Sequence, residues 1–217
     1  MSMKPLADCR LYTFVDAGYL NNNDSVEIAR QLIDGGTDIL QLRAKDWSKD
    51  RIQSTAESLL QITESAQVPL VVNDHPDIAS ATGAQYYHQG QEEFFGETGE
   101  SRLEAEADHT SKLGLSTHSP TDAQRALQTQ AAYLAAGPIH PTPTKPGRPG
   151  VGLDYIRWAA AQIDRPWFAI GGITLENVDD VLAAGARRIC IVSAILNAPD
   201  ISRACQQFRE RLASVPL

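Results

Sequence analysis

The chain of 217 residues has a formal net charge of −8 and a hydrophobic content of 42%. That hydrophobic content excludes wholesale disorder, and the lack of a basic excess argues against nucleic-acid binding. Its cysteines, Cys9, Cys190 and Cys205, are widely spaced and form no CxxC metal motif, which favours a reducing compartment. No apolar run reaches membrane-spanning length, and residues 1–10 lack the apolar core of a signal peptide. We therefore expect a cytoplasmic protein without nucleic-acid or membrane partners; a homo-oligomer is possible.

Short apolar runs alternate with helical patterns along the whole chain. Strands are predicted at 11–15, 39–42, 68–72, 84–88, 112–115, 133–136, 167–170 and 188–192. Helices are predicted at about 26–33, 49–65, 76–82, 120–129, 153–163, 178–183 and 201–212, with Thr174 as the cap of the sixth of these. The acidic stretch 91–108 is interpreted as a solvated loop and helix.

The predicted strands are nearly continuous apolar runs, as in parallel sheets that are buried on both faces. Eight such strands alternating with helices predict a single (β/α)8 TIM barrel over residues 1–217. A doubly wound open sheet is the main alternative. It fits less well, because no GxGxxG motif follows the first strand.

Polar residues follow almost every predicted strand, where the active sites of such barrels lie. The cations among them can attract an anion, and the carboxylates are of the kind that hold Mg²⁺ together with substrate phosphate. Glycines after strand seven suit phosphate binding by backbone N–H groups. These residues are Gln41, Arg43, Lys45, Asn73, Asp74, His88, Gln91, Glu92, Glu93, Ser116, Thr117, His118, Gly171, Gly172 and Ser193.

The segment from Gly137 to Lys145, called the proline loop below, follows the sixth strand. Its prolines restrict the backbone and exclude a helix or an inner strand. The segment presents Thr142, Thr144 and Lys145, which suit a phosphate group. An ordinary proline-rich surface turn is the alternative interpretation.

Two other interpretations of the polar residues are weak. Ser116 and His118 do not form a convincing nucleophilic pair, because no third orienting group is identifiable. The histidines lack metal-ligand spacing. His88 is expected to point into the barrel or its mouth, and His140 fits a substrate contact and a packing role equally well.

The chain resembles the thiamine-phosphate synthase (thiamine-phosphate pyrophosphorylase) family over nearly its whole length. The resemblance is carried by motifs that occur in the same order and spacing. They are Gln41-Leu42-Arg43-Ala44-Lys45, Asn73-Asp74, His88 to Glu93, Leu113 to His118, the proline loop, Ile170 to Ile173 and Val192 to Ile195.

The resemblance implies a (β/α)8 barrel that joins a hydroxymethylpyrimidine diphosphate to a thiazole phosphate and releases pyrophosphate. It assigns the pyrimidine diphosphate to Gln41, Arg43, Lys45, Asn73 and Lys145, and the pyrimidine ring to Ser116. Arg43, Lys45, Ser116 and Lys145 would be the catalytic residues. Asp74 and Glu93 would hold Mg²⁺, and Thr142, Thr144, Gly172, Val192 and Ser193 would hold the thiazole phosphate.

Three residues depart from the family pattern. Family members usually have Asp at the position of Glu93, Leu at Gln89, and Phe or Tyr at His140. Two alternatives therefore stay open: a relative of the thiazole tautomerases, and a non-catalytic barrel that binds thiazole or thiamine phosphates. The intact Gln41-Arg43-Lys45, Asn73-Asp74 and Thr142-Pro143-Thr144-Lys145 sets favour the synthase, because a diphosphate substrate needs such residues.

Overall fold

The computed structural model describes residues 3–21, 23–96, 110–142, 147 and 149–217. Eight parallel strands close into a barrel, in which each strand pairs with the next and the eighth pairs with the first. The predicted (β/α)8 barrel is therefore confirmed. The strands are β1 (Leu11–Asp16), β2 (Ile39–Arg43), β3 (Leu70–Asn73), β4 (Tyr86–Gln89), β5 (Lys112–Thr117), β6 (Tyr133–Ala136), β7 (Trp167–Ile170) and β8 (Ile189–Cys190).

The helices of the described residues surround this barrel. Four of them begin at a capping side chain that accepts from backbone N–H groups of the first turn; the capping residues are Asp24, Ser48, Ser119 and Asp200. The helices are α1 (Ser25–Asp34), α2 (Lys49–Ser65), α3 (Pro76–Thr82), α4 (Gln91–Phe95), α5 (Pro120–Leu127), α6 (Gly152–Gln162), α7 (Val178–Ala183), α8 (Ser193–Leu196) and α9 (Ile201–Ala213).

Three details differ from the sequence-based prediction. Strand β3 begins at Leu70, because the Val68 N–H donates to the Thr63 carbonyl at the end of α2. Strand β8 is shorter than predicted, and the short helix α8 follows it directly. The prediction that Thr174 caps α7 is wrong: its side chain does not cap the helix, and its backbone N–H donates to the Asn177 side chain instead.

Aromatic side chains fill the barrel interior. The Tyr12 ring stacks on Phe14 with centroids 5.2 Å apart and meets Phe168 edge-on at the same distance. Tyr133 packs edge-on against Phe168, and its register partner on β5 is Gly114. This packing leaves the carboxyl ends of the strands as the place for a site.

The three cysteines are buried, and none of them is in a disulfide bond. Within the residues that the structure describes, no helix combines the length and the apolar character needed to cross a bilayer.

Candidate active site

Two adjoining cavities lie at the carboxyl ends of the strands. The first, called the β2 cavity, is lined by residues of all eight strands and by Val192; the second, called the β7 cavity, is lined by residues at the ends of β5 to β8 and by the loops that follow them. Because five residues line both, the two cavities are directly adjacent. The β2 cavity alone is lined by Tyr12, Phe14, Gln41, Arg43, Asn73 and His88; the β7 cavity alone by His118, Gly137, Pro138, Thr142, Gly171, Gly172, Ile173 and Ser193; and both by Ser116, Ala135, Ile170, Cys190 and Val192.

Arg43 enters the β2 cavity already held by a buried carboxylate. Its Nη1 lies 2.8 Å from Oδ2 of Asp16, its register partner on β1. The other Asp16 oxygen accepts from the Gly18 N–H at 2.9 Å. Since the Asp16 side chain is only 2% exposed, the guanidinium has a fixed position next to the cavity.

Two carboxylates and one ammonium group lie close together at the carboxyl ends of the strands; these three residues, Lys45, Asp74 and Glu93, are called the rim below. The Lys45 Nζ lies 3.3 Å from Oδ2 of Asp74 and 3.6 Å from Oε1 of Glu93. Asn73 Nδ2 donates to the same Asp74 oxygen at 2.6 Å. Asp74 has a left-handed backbone with φ of 63°, and its N–H donates to the His88 carbonyl, which extends the ladder between β3 and β4. Left-handed backbone outside glycine is uncommon, and such positions concentrate at functional sites.

This rim fits a magnesium ion. Both carboxylates lie close to one positive charge, the Lys45 ammonium, so they can also face a small cation. Mg²⁺ takes few protein oxygens and completes its shell with water and substrate phosphate. In the described part of the chain, no cluster of three or more His, Cys, Asp or Glu side chains is placed to hold a metal ion. Asp74 and Glu93 therefore suit an ion that arrives with a phosphorylated substrate.

At the β7 cavity, Ile139 and His140 of the proline loop pack on the turn after β7. The Ile139 N–H donates to the Ile170 carbonyl, and the His140 N–H donates to the Gly171 carbonyl. Gly171 and Gly172 both have positive φ, and a Cβ at Gly172 would lie 2.7 Å from the His140 Cβ. Glycine is therefore required for this close approach, which keeps the backbone of the turn accessible.

Ser116 pairs with a different histidine from the one considered in the sequence. Its Oγ lies 2.9 Å from His88 Nε2, whereas His118 Nδ1 bonds to the Gly137 carbonyl at 2.5 Å. His88 is buried and points into the barrel. The Ser116 hydroxyl is thus bonded to His88, and the prediction that Ser116 and His118 form no nucleophilic pair stays a prediction.

The structure distributes the predicted site residues over the two cavities and the rim. His88, which the sequence predicts to point into the barrel or its mouth, lines the β2 cavity, and the buried Cys190, to which the sequence analysis gives no role in the site, lines both cavities. Strand alternation is the signal that could have found Cys190, since side chains two apart share a face. Gln41, Arg43, Asn73 and Ser116 line the β2 cavity; Ser116, Thr142, Gly172, Val192 and Ser193 line the β7 cavity; Lys45, Asp74 and Glu93 form the rim; Thr144 and Lys145 lie outside the described residues.

Comparison with known proteins identifies relatives of the whole barrel. The sequence profile of the family described as thiamine monophosphate synthase matches residues 11–195. The chain is 47% identical over 182 residues to a thiamine-phosphate synthase of Thermus thermophilus, covering 83% of this chain and 85% of the relative. It is 42% identical over 211 residues to that of Acidothermus cellulolyticus, covering 96% and 97%. A solved thiamine phosphate pyrophosphorylase from Pyrococcus furiosus superposes with a TM-score of 0.82 at 27% identity, covering 95% and 96%.

Proposed function

The chain belongs to the thiamine monophosphate synthase family and is a transferase that forms thiamine phosphate. On this premise we propose that each of the two cavities binds one of the two substrates. The substrates are 4-amino-2-methyl-5-(diphosphooxymethyl)pyrimidine, which occupies the β2 cavity, and a thiazole phosphate, which occupies the β7 cavity. The observation that carries the proposal is that the two cavities adjoin and have five lining residues in common. A coupling reaction needs its two reactants next to each other.

The β2 cavity suits the pyrimidine diphosphate. Arg43 and Lys45 bring two cations to its mouth, in a chain whose overall charge is negative. Gln41, Asn73 and Ser116 supply polar atoms for the ring and the first phosphate. In the proposal Lys145, on the proline loop, is a third cation for the diphosphate.

Asp74 and Glu93 would hold the Mg²⁺ ion beside this diphosphate. When bound, the ion supplies positive charge that neutralises the leaving group. Glu93 has one methylene more than the usual aspartate. Its carboxylate reaches back over Gly90, where a Cβ would lie 2.1 Å from Oε2, so the longer side chain still faces the rim.

The β7 cavity suits the thiazole phosphate. Gly172, Val192 and Ser193 bring backbone to its wall, and Thr142 brings a hydroxyl. In the proposal Thr144 is a second hydroxyl for the same phosphate. Phosphate groups are frequently bound by the loops after strands seven and eight in such barrels.

The proposed mechanism needs no general base. The bond between the pyrimidine methylene carbon and the bridging oxygen breaks, and its electron pair leaves with the diphosphate. The resulting pyrimidine cation is captured by the lone pair of the thiazole nitrogen, which carries no proton. Arg43, Lys45 and Lys145 then stabilise the negative charge on the departing diphosphate. The two cavities hold both reactants in line.

The experiment that tests the function combines the purified protein with both substrates and Mg²⁺, and measures thiamine phosphate and pyrophosphate. We expect the two products in equal amounts. Conversion of one thiazole phosphate tautomer into another without coupling would refute the proposal in favour of a tautomerase. Binding without any turnover would refute it in favour of a non-catalytic barrel.

The division between the cavities has its own test. Lys45→Met should raise KM for the pyrimidine diphosphate by about tenfold or more, because a charge-assisted hydrogen bond is lost. Thr142→Val should raise only KM for the thiazole phosphate. Each variant is the matched control of the other, and equal effects on both KM values would contradict the assignment.

A further inference from the structure

A buried chain of hydrogen bonds crosses the barrel from β2 to β5. Gln41 Nε2 donates to the Tyr12 hydroxyl at 2.5 Å, and the Tyr12 and Tyr133 hydroxyls lie 2.9 Å apart. The Tyr133 hydroxyl lies 3.2 Å from His88 Nδ1, and His88 Nε2 lies 2.9 Å from the Ser116 Oγ. All five side chains are buried, with at most 8% exposed. Bulk water therefore competes little for these bonds, and each depends on its neighbours.

The donor at Gln41 sets the direction of the whole chain. An amide NH₂ group can only donate, so the Tyr12 oxygen accepts from Gln41. A buried O–H without an acceptor is costly, and among these side chains the Tyr133 oxygen is the acceptor within reach of the Tyr12 proton, so we direct that proton to Tyr133. Tyr133 then directs its proton to His88 Nδ1, which must be unprotonated to accept it. His88 consequently carries its proton on Nε2 and donates to Ser116.

Packing and burial hold the two tyrosines in these roles. The Tyr133 ring stacks on the His88 ring with centroids 5.7 Å apart, and Gly114 leaves space for it, since a Cβ there would lie 2.1 Å from the Tyr133 Cζ. Burial raises the pKa of Tyr12 and of Tyr133 well above the usual range. Both hydroxyls therefore keep their protons at neutral pH.

The two ends of the chain line the β2 cavity and offer opposite groups to a ligand. Ser116 accepts from His88, so its own O–H proton remains available to donate. Gln41 uses its NH₂ group on Tyr12, so its amide oxygen remains available to accept. A 4-aminopyrimidine held with a ring nitrogen at Ser116 and its amino group at Gln41 complements this pair, because the ring nitrogen accepts and the amino group donates. A 4-oxopyrimidine in the same orientation places a ring N–H, which donates, at Ser116 and a carbonyl, which accepts, at Gln41, and so opposes it.

We propose that His88, Tyr133 and Tyr12 are positioning residues that fix the hydrogen-bond polarity at Gln41 and Ser116 together, and so select a 4-amino over a 4-oxo pyrimidine diphosphate. This inference rests on the proposed function for the identity of the substrate. It adds that the two ends are coupled. Turning the Gln41 amide over would reverse every bond in the chain, place the His88 proton on Nδ1 and convert Ser116 into an acceptor.

The first test is a nuclear magnetic resonance spectrum of the full chain labelled with ¹⁵N in histidine, without substrates. Loss of one signal set in His88→Gln identifies the His88 resonances. We expect the neutral tautomer with the proton on Nε2, and a shift of the Nδ1 resonance in Tyr133→Phe. A proton on Nδ1 in the unsubstituted protein would overturn the inference. Because no turnover is involved, this result stands even if the proposed function fails.

The second test measures the ratio of kcat/KM for the 4-amino and 4-oxo pyrimidine diphosphates. We expect Tyr133→Phe to lower this ratio about tenfold, the value of one hydrogen bond. Tyr12→Phe breaks the chain at another link and should lower it similarly, which covers the case in which the first variant does not fold. Tyr155→Phe is the matched control, since it also loses a buried hydroxyl bond, to Thr117 at 2.6 Å, but lies outside the chain.

The outcomes separate the two proposals. An unchanged ratio in both Tyr133→Phe and Tyr12→Phe, or an equal fall in Tyr155→Phe, would overturn the inference while coupling activity persists. Absence of coupling with either pyrimidine would instead refute the proposed function. The His88 tautomer found by nuclear magnetic resonance would then be the remaining test of the direction of the hydrogen bonds.

Discussion

Replacing Asp16 with asparagine would leave the Arg43 guanidinium largely buried without its counter-charge. The pair is separated by 2.8 Å, and the side chains are 2% and 17% exposed for Asp16 and Arg43. At a charge separation of about 4 Å and an effective dielectric constant of about 20, their attraction is about 4 kcal/mol. Removing one partner of a buried pair costs about 3–5 kcal/mol, and the residual exposure of Arg43 and the remaining amide acceptor reduce this to about 2–3 kcal/mol.

Urea denaturation of Asp16→Asn measures this loss, and steady-state kinetics measure its effect on the site. We expect KM for the pyrimidine diphosphate to rise about tenfold, because the guanidinium loses the group that fixes it. KM for the thiazole phosphate should stay unchanged. The matched control is Asp154→Asn, which breaks a 2.6 Å ion pair with Arg157 on an exposed helix surface and should change neither quantity measurably. A free energy of unfolding equal to that of the unsubstituted protein would refute the reasoning.

Three further predictions concern the barrel, a buried thiol and the rim. Gly114→Ala should lower the Tm by about 6 °C or more in calorimetry, since a Cβ 2.1 Å from the buried Tyr133 ring costs about 3 kcal/mol; an unchanged Tm would contradict the packing. Burial raises the pKa of Cys205 from 9.0 to about 12, so its contribution to stability is complete below about pH 9 and is lost as pH rises towards 12. Urea unfolding of Cys205→Ala should therefore show a weaker alkaline loss, and an identical pH profile would exclude that contribution. Glu93→Gln should raise the Mg²⁺ concentration for half-maximal activity several-fold while Glu92→Gln does not, and equal effects would show that Glu93 is not the ligand.

The barrel could be predicted because its strands are buried on both faces and its turns carry strong local signals. Helix α2 has the predicted bounds, since the Ser48 side chain accepts from the Arg51 N–H at its start. The failure at Thr174 has a physical cause as well. A cap depends on which side chain reaches the backbone N–H groups, and here the side-chain amide oxygen of Asn177 accepts from the N–H of Thr174.

The site was only partly predictable. Residues at the strand ends could be found because a barrel brings those ends together, as Asp16 and Arg43 show by their register. Pairings across the interior could not, because they depend on barrel closure and side-chain direction. His88 reaches Ser116 on the neighbouring strand β5 and Tyr133 on β6. No spacing along the chain indicates those contacts.

The wall shared by the two cavities also has a consequence for inhibition. A molecule that joins an analogue of each substrate would bind its second half as an intramolecular step, at an effective concentration in the millimolar range. Ser116 and Cys190 line both cavities, so the linker needs to be only as long as the span of that wall. Such a bisubstrate compound should bind about 100-fold to 10,000-fold more tightly than either half. A single small molecule that fills both the β2 cavity and the β7 cavity can therefore gain affinity by binding at two adjacent places.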